Sequence, residues 1–326
     1  MSKSQETKPD FSSRDRIIEH LSRELNIRAE RGRRFAELTS LRVGGNVDWL
    51  LLPATEEDAA AITWFLDESR IPWRVLGAGS NVLADDADHQ YVLISTRKMK
   101  GEARFSETDD QNFVRVSVSC GYSLPKLCVD AWKHRLSGIE GLGGIPGTVG
   151  GAIWMNAGAY EQEIGGVVET VRVARTGTTV EVPGRDVVWE YRRTSFNEGE
   201  LLLGVTLRLK KDDPRLIKER MDEAKKKRLE TQPHSARSAG CFFKNPPNSG
   251  LSAGRMIDEM GFKGVRQGGA LVSSVHANFI VTEETEGKQA RAEDALALAE
   301  EIRERVRREH GIELEYEVEI WPASSR

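Results

Sequence analysis

The 326-residue chain has no apolar run approaching the length that crosses a bilayer, which excludes a membrane-spanning helix. It has no surplus of positive charge. Its 47 Lys and Arg against 51 Asp and Glu leave a net charge of −4, so no global field draws it to nucleic acid. Cysteine is scarce: Cys120, Cys128 and Cys241 sit at spacings that make neither a zinc pattern nor a disulfide framework, and reduced thiols fit them. None of the six histidines stands at ligand spacing with carboxylate or cysteine, so no catalytic metal is expected. Residues 1–10 are polar and lack the apolar stretch and cleavage site of a secretory signal. These absences point to a cytoplasmic protein without repeats or low-complexity tracts.

With 39% hydrophobic and 30% charged residues the composition is that of an ordinary globular protein, and the length calls for two or three domains. The first 30 residues read as a flexible extension and a first helix. An apolar run at 48–52 ends at Pro53, and Thr55 with Asp58 three residues on opens a helix that runs to Arg70. Trp73–Leu76 reads as a buried strand, followed by the loop Gly77, Ala78, Gly79, Ser80, Asn81 and a strand at 91–95. Residues 101–111 are charged and patternless. Phe113–Ser119 alternates as a half-buried strand, and 124–134 is helical. Two strands flank Gly177, and a third at 201–209 ends before Asp213 and Pro214.

A charged helix to about Glu230 follows. Its cluster Lys225, Lys226, Lys227, Arg228 interleaves with Glu219, Asp222, Glu223 and Glu230 and reads as a solvated face. A helix is expected near 253–260, strands at 269–273 and 277–282, and a helix over 290–310 that lays Ala295, Ala299, Ile302 and Val306 on a sheet. Residues 312–320 alternate strictly, with four glutamates, Glu313, Glu315, Glu317 and Glu319, on one side of a closing strand.

Two glycine-rich loops stand out. Gly77 to Asn81 follows a strand, where backbone N–H groups can form a nest for an anion, yet it lacks the third glycine and long helix of the dinucleotide fingerprint. The second contains Gly144, Pro146, Gly147, Thr148, Gly150, Gly151 and Ala152 within a segment where eight glycines fall between Gly138 and Gly158. Tight turns would explain either loop alone. Together they imply a long, phosphate-bearing ligand approached closely by backbone.

The run Gly144, Ile145, Pro146, Gly147, Thr148, Val149, Gly150, Gly151, Ala152, followed by Met155, Asn156, Ala157, Gly158, Ala159, Tyr160, resembles the signature of UDP-N-acetylenolpyruvoylglucosamine reductases (UDP-N-acetylmuramate dehydrogenases). So do residues 41–45, the loop Gly77 to Asn81, residues 191–196, 240–246, 275–280 and 314–318, in the same order over 35–321.

The resemblance implies an α+β fold with FAD-binding architecture of the vanillyl-alcohol-oxidase type. It comprises two α/β subdomains, here 31–100 and 101–213, and a C-terminal α/β substrate-binding domain, 214–326. It implies FAD, held non-covalently, and NADPH as electron donor. The reaction would reduce the enolpyruvyl ether of UDP-N-acetylglucosamine enolpyruvate to UDP-N-acetylmuramate, in peptidoglycan precursor synthesis. The short connection after Phe196 resembles the subgroup lacking an extra substrate-covering loop.

An enolpyruvyl ether accepts hydride at its terminal carbon while charge spreads to the adjacent carbon and carboxylate, so the site needs a cation, a hydrogen-bonding acid and a proton donor. The resemblance assigns these to Arg192, Glu317 and Cys241; Cys241 stands where the family usually has serine. Residue chemistry leaves other readings open: a surface salt bridge for Arg192, a solvated face for Glu317, a small buried thiol for Cys241. Tyr160, Lys244, Asn245 and His276 match positions that bind the UDP-sugar in the family, although His276 could equally be a packed core histidine. An oxidase of the same fold and a non-catalytic UDP-sugar or flavin sensor are the alternatives.

Overall fold

The computed structural model describes residues 13–323 except Lys100, Thr176, Asn248 and Glu286. The polar start, residues 1–10, lies outside the described residues. After the helix Ser13–Glu24, the strand Arg28–Arg34 opens a four-stranded sheet in the order Arg28–Arg34, Asn46–Leu52, His89–Ser95, Trp73–Leu76. The last three strands run parallel, and the first is antiparallel to its neighbour. The helix Glu56–Glu68 covers the sheet. Thr55 and Asp58 close its N-terminus as a capping box, burying Ala59, Ile62 and Leu66.

The second sheet is antiparallel, with Phe113–Ser119 and Leu201–Lys211 at its centre between Arg104–Glu107 and Val168–Arg175. Val114, Val116 and Val118 point into a core shared with the helix Leu124–Lys133. The helix Pro214–Thr231 lies against the turn Glu140–Gly144, where Arg220 Nε donates to Glu140 Oε1 at 2.6 Å. A third, four-stranded antiparallel sheet packs under Ala292–His310, whose Ala295, Ala299, Ile302 and Val306 are fully buried. The α+β class is as expected.

Five elements differ from the sequence reading. Arg28–Arg34 is a strand rather than part of an extension because it forms a sheet edge: its register with Asn46–Leu52 is set by backbone pairing, and its side chains remain largely in solvent. Arg104–Glu107, read as patternless, is likewise an edge strand. Val82–Ala84, to which the sequence reading gave no element, is a fully buried strand. The closing strand shrinks from 312–320 to Glu319–Trp321, because residues 312–318 pair with no sheet except at the single bridge Phe243 to Tyr316. The strand expected at 277–282 is similarly confined to Ile280–Thr282.

The closing segment carries the chain back to the first sheet region, where Glu319–Trp321 pairs in parallel with Val82–Ala84. Beside this junction Asp86 accepts the Ala292 and Glu293 amides at 2.9 and 3.0 Å, satisfying the free donors of the last helix from a different sheet unit. Asp86→Ala is expected to cost about 1–2 kcal/mol, read as a lower urea midpoint. An unchanged midpoint would show that water serves those amides equally well.

Candidate active site

The loop Gly77 to Asn81 is held from behind. Half-buried Arg97 donates from Nε to Gly77 O at 3.1 Å and from Nη2 to Leu38 O at 2.6 Å and to Ala78 O, while Ser40 N donates to Gly79 O at 2.9 Å. With its acceptors tied back, the loop offers N–H groups to the cleft it lines. Gly79 has φ +67°, and a Cβ there would lie 2.3 Å from Leu38 O, so only glycine fits.

The second loop leans on the first. Ser80 Oγ donates to Pro146 O at 2.6 Å, and a Cβ on Gly77 would meet Thr148 Oγ1 at 2.5 Å. Gly150 is set against Cys120, which a Cβ would approach to 2.9 Å. Gly147 and Gly151 differ, because Cβ atoms there would reach nothing closer than 3.7 and 3.5 Å. Both line the cleft, but the Gly151 amide is taken by Thr148 Oγ1 at 3.3 Å, the N-cap bond of the helix Val149–Trp154. The cleft measures about 870 Å³, toward the upper end of the ~300–1,000 Å³ range of ligand sites, and both loops line it, which suits an extended FAD.

At its reacting end three separate elements converge. Arg192 sits at the tip of a two-residue turn between Trp189–Glu190 and Arg193–Thr194, in a left-handed conformation with φ 58°. Buried Asn156 braces that turn by donating to Glu190 O at 3.0 Å. Arg192 Nε donates to Glu317 Oε1 at 3.0 Å and Nη2 to Gly158 O at 2.9 Å, with the two side chains only 19% and 16% exposed. Burial raises the Glu317 pKa above the usual carboxylate range, outweighing the opposing charge of Arg192. Glu317 is thus in the cleft and not on a solvated face.

Cys241 reaches the same point from the segment that follows Gly240. Phe242 N donates to Asn278 O at 2.7 Å, Asn278 bonds both backbone groups of Phe243, and Glu317 N donates to Phe242 O at 2.9 Å. Thiol and carboxyl are therefore carried on one hydrogen-bonded frame. Burial pushes the Cys241 thiol up to about 12; Glu317 adds to this, while Arg192 and Arg228 oppose it. The proton stays on sulfur at neutral pH.

Of the other candidates, Tyr160 lines the cleft. Lys244, Asn245 and His276 lie outside its lining: Lys244 Nζ is 3.3 Å from Glu315 Oε2, Asn245 Oδ1 accepts the Ala253 amide at 3.0 Å, and His276 Nδ1 accepts the Asn278 amide at 3.2 Å. Asn81 does more than line the cleft, since its Nδ2 donates to Glu317 O at 3.1 Å.

Four residues escaped the sequence reading. Arg97 is the brace behind the first loop. Tyr191 lays its ring 4.8 Å from the Arg192 guanidinium. Glu319 lines the cleft with its pKa raised by burial; it shares the period-two face of Glu317, which was its signal. Arg228 lines the cleft while Lys225, Lys226 and Lys227 are exposed, so the solvated-face reading fails for it. It continues the inward face Ile217, Met221, Ala224 at helical steps.

The chain matches the family model described as UDP-N-acetylenolpyruvoylglucosamine reductase, C-terminal domain, over residues 232–321, and the FAD binding domain model over 47–182. It is 38% identical over 308 residues to the UDP-N-acetylenolpyruvoylglucosamine reductase of Geobacter sulfurreducens, covering 94% of this chain and 98% of that one. The reductase of the same name from Thermotoga maritima is 37% identical over 290 residues, 87% of this chain and 95% of its own. The crystal structure of the Thermus caldophilus reductase superposes with a TM-score of 0.74 at 37% identity, covering 91% of this chain and all of that one. With relatives of that name matched at more than 30% identity over nearly their whole length, this protein belongs to the UDP-N-acetylenolpyruvoylglucosamine reductase family of FAD-dependent oxidoreductases.

Proposed function

We propose that the protein uses NADPH to reduce the enolpyruvyl ether of UDP-N-acetylglucosamine enolpyruvate in the cytoplasm, with Cys241 as the proton donor. The convergence of Arg192, Glu317 and a protonated Cys241 at one end of the glycine-lined cleft carries this reading. FAD, when bound, supplies a hydride to the terminal alkene carbon. Arg192 holds the substrate carboxylate by a charge-assisted contact that guanidinium cannot lose by titration. As that carboxylate takes its place beside Glu317, two negative charges compete for one cation, which raises the Glu317 pKa further and leaves a neutral acid to hydrogen-bond the charge developing on the substrate. Cys241 Sγ gives its proton to the carbon next to the carboxylate. Two C–H bonds replace the π bond, and the thiolate recovers its proton from solvent.

The N–H groups of Gly77, Ala78, Gly79 and Ser80, and the backbone at Gly147, would hold the flavin's diphosphate, with Gly151 in the adjoining wall. Gly144, Pro146, Thr148, Gly150 and Ala152 shape the same wall. Tyr160 then faces the sugar nucleotide directly, and Lys244, Asn245 and His276 reach it only with movement of the segments that now engage them. The connection from Phe196 to Leu201 is a single tight turn, with Glu200 N donating to Asn197 O at 3.1 Å, too short to cover the cleft; this favours the subgroup without a covering loop. Because Pro214–Thr231 packs on the second sheet unit and the C-terminal family match begins at 232, we place the last domain boundary near Thr231 rather than at 213.

The purified protein should be yellow and release its flavin on acid or heat treatment, because backbone cradles offer no tether; colour retained by the denatured chain would demonstrate covalent attachment. Glu317→Gln is expected to slow sugar reduction at least about tenfold, within the usual 10²–10⁴-fold scale of acid–base groups. The same change at exposed Glu313 or Glu315 should cost little. Since burial raises the Glu317 pKa, its acid form persists to higher pH and activity should fall as pH climbs past that value, an alkaline limb that the Gln variant lacks. Equal, small effects at all three glutamates would remove Glu317 from the reaction.

Cys241→Ala separates the half-reactions. Flavin reduction by NADPH requires no carbon protonation and should proceed, whereas reoxidation by the sugar nucleotide should slow strongly. Cys241→Ser should keep substantial turnover. Reoxidation of Cys241→Ala as fast as that of the parent would assign the proton to another group. An inactive parent rescued by Cys241→Ser would favour a sensor, and rapid air oxidation without sugar nucleotide would favour an oxidase.

A further inference from the structure

Two strongly basic groups of the cleft, Arg74 and Arg228, are left unused by the reaction above, and Arg74 Nη2 is paired with Glu198 Oε1 at 3.3 Å, which leaves Arg228. Its Nε donates to Gln232 Oε1 at 2.7 Å, but Nη1 is sealed from solvent with no hydrogen-bond partner. No carboxylate stands within ion-pairing distance among the described residues. A buried donor without an acceptor costs about 1–3 kcal/mol, and more when charged, so the arrangement calls for a ligand that completes it.

Position narrows the identity of that ligand. A Cβ on Gly144 would lie 2.9 Å from Arg228 Cδ and 3.0 Å from Nη1, so the arm rests on the start of the second glycine loop and a larger residue there would push it aside. The guanidinium lines the same cleft as Tyr160 and Cys241. Arg228 thus belongs both to the wall built on the second glycine loop and to the cleft that the proposed proton donor lines. The substrate carboxylate already has Arg192. The charge that arises at this junction without a cation of its own is that of the flavin, because a hydride delivers two electrons and one proton and leaves the ring with one negative charge.

We propose that Arg228 is the cation that stabilises the negative charge of the reduced flavin and so sets its reduction potential, as charges placed near a flavin ring do. The inference rests on the FAD reading of the cleft. Its role is electrostatic positioning of the cofactor, distinct from proton donation by Cys241.

The test uses purified holoprotein with matched flavin content, equilibrated with reference dyes. In Arg228→Gln the preference for reduced over oxidised flavin should fall at least about tenfold, which for a two-electron couple is a potential about 30 mV more negative. Arg228→Lys should recover most of the loss. Gly144→Ala, which displaces the arm without removing its charge, should move the potential in the same direction and serves as the second route if Arg228→Gln does not accumulate folded. An unchanged potential overturns the proposal, and if it comes with a raised KM for the sugar nucleotide, the missing acceptor is a phosphate of the substrate. A protein that binds no FAD at any concentration would instead overturn the reading of the cleft itself.

Discussion

The site depends on the return of the C-terminal segment to the first glycine loop. Glu319–Trp321 pairs in parallel with Val82–Ala84, and Asn81 grips the returning strand twice, by its side chain to Glu317 O and by its carbonyl from Glu319 N at 2.9 Å. The partners are 236 residues apart in the chain. Closing so long a loop carries an entropic cost that grows only slowly with length, and the buried contacts of Trp321 with Phe35 and Tyr91 offset it. The consequence is that the first glycine loop and the Glu317 carboxyl form one body, so their separation is set by a strand pair and not by a hinge.

Arg192 is brought to that body from the second sheet unit, and its turn is braced independently by Asn156. Arg172, bidentate to Glu56 at 2.8 and 2.9 Å, ties the second sheet to the helix that covers the first, so the cation and the acid approach from units that are themselves clamped together. A pair held from two sides keeps its geometry when a substrate carboxylate arrives, which is what preorganised charge stabilisation requires.

The legible parts of the fold were those whose burial leaves a period in the sequence. Phe113–Ser119 shows alternation because one face packs, and Ala292–His310 shows its stripe because one side packs. Arg28–Arg34 and Arg104–Glu107 are edge strands, specified by backbone pairing with a neighbour, and a run such as Arg31, Gly32, Arg33, Arg34 carries no such period. For the site, glycine density announced a ligand, but which glycines serve it and which serve packing, Gly147 against Gly77, is a tertiary fact. Glu317 was indistinguishable by pattern from Glu313 and Glu315, and only family resemblance singled it out. Arg228 was legible in principle, since it extends the Ile217, Met221, Ala224 face, yet a charge among lysines masks an inward position.

Cysteine at position 241 is consistent with donation only because of where it sits. A thiol beside Arg192 in water would lose its proton readily, and a thiolate cannot protonate carbon. Here burial dominates and the Glu317 carboxylate adds to it, so the proton remains on sulfur despite two nearby guanidinium groups. Burial raises Glu317 as well, against the opposing charges of Arg192 and Lys244. A protein medium of low polarity thus does for cysteine what the intrinsically high pKa of a hydroxyl does for serine.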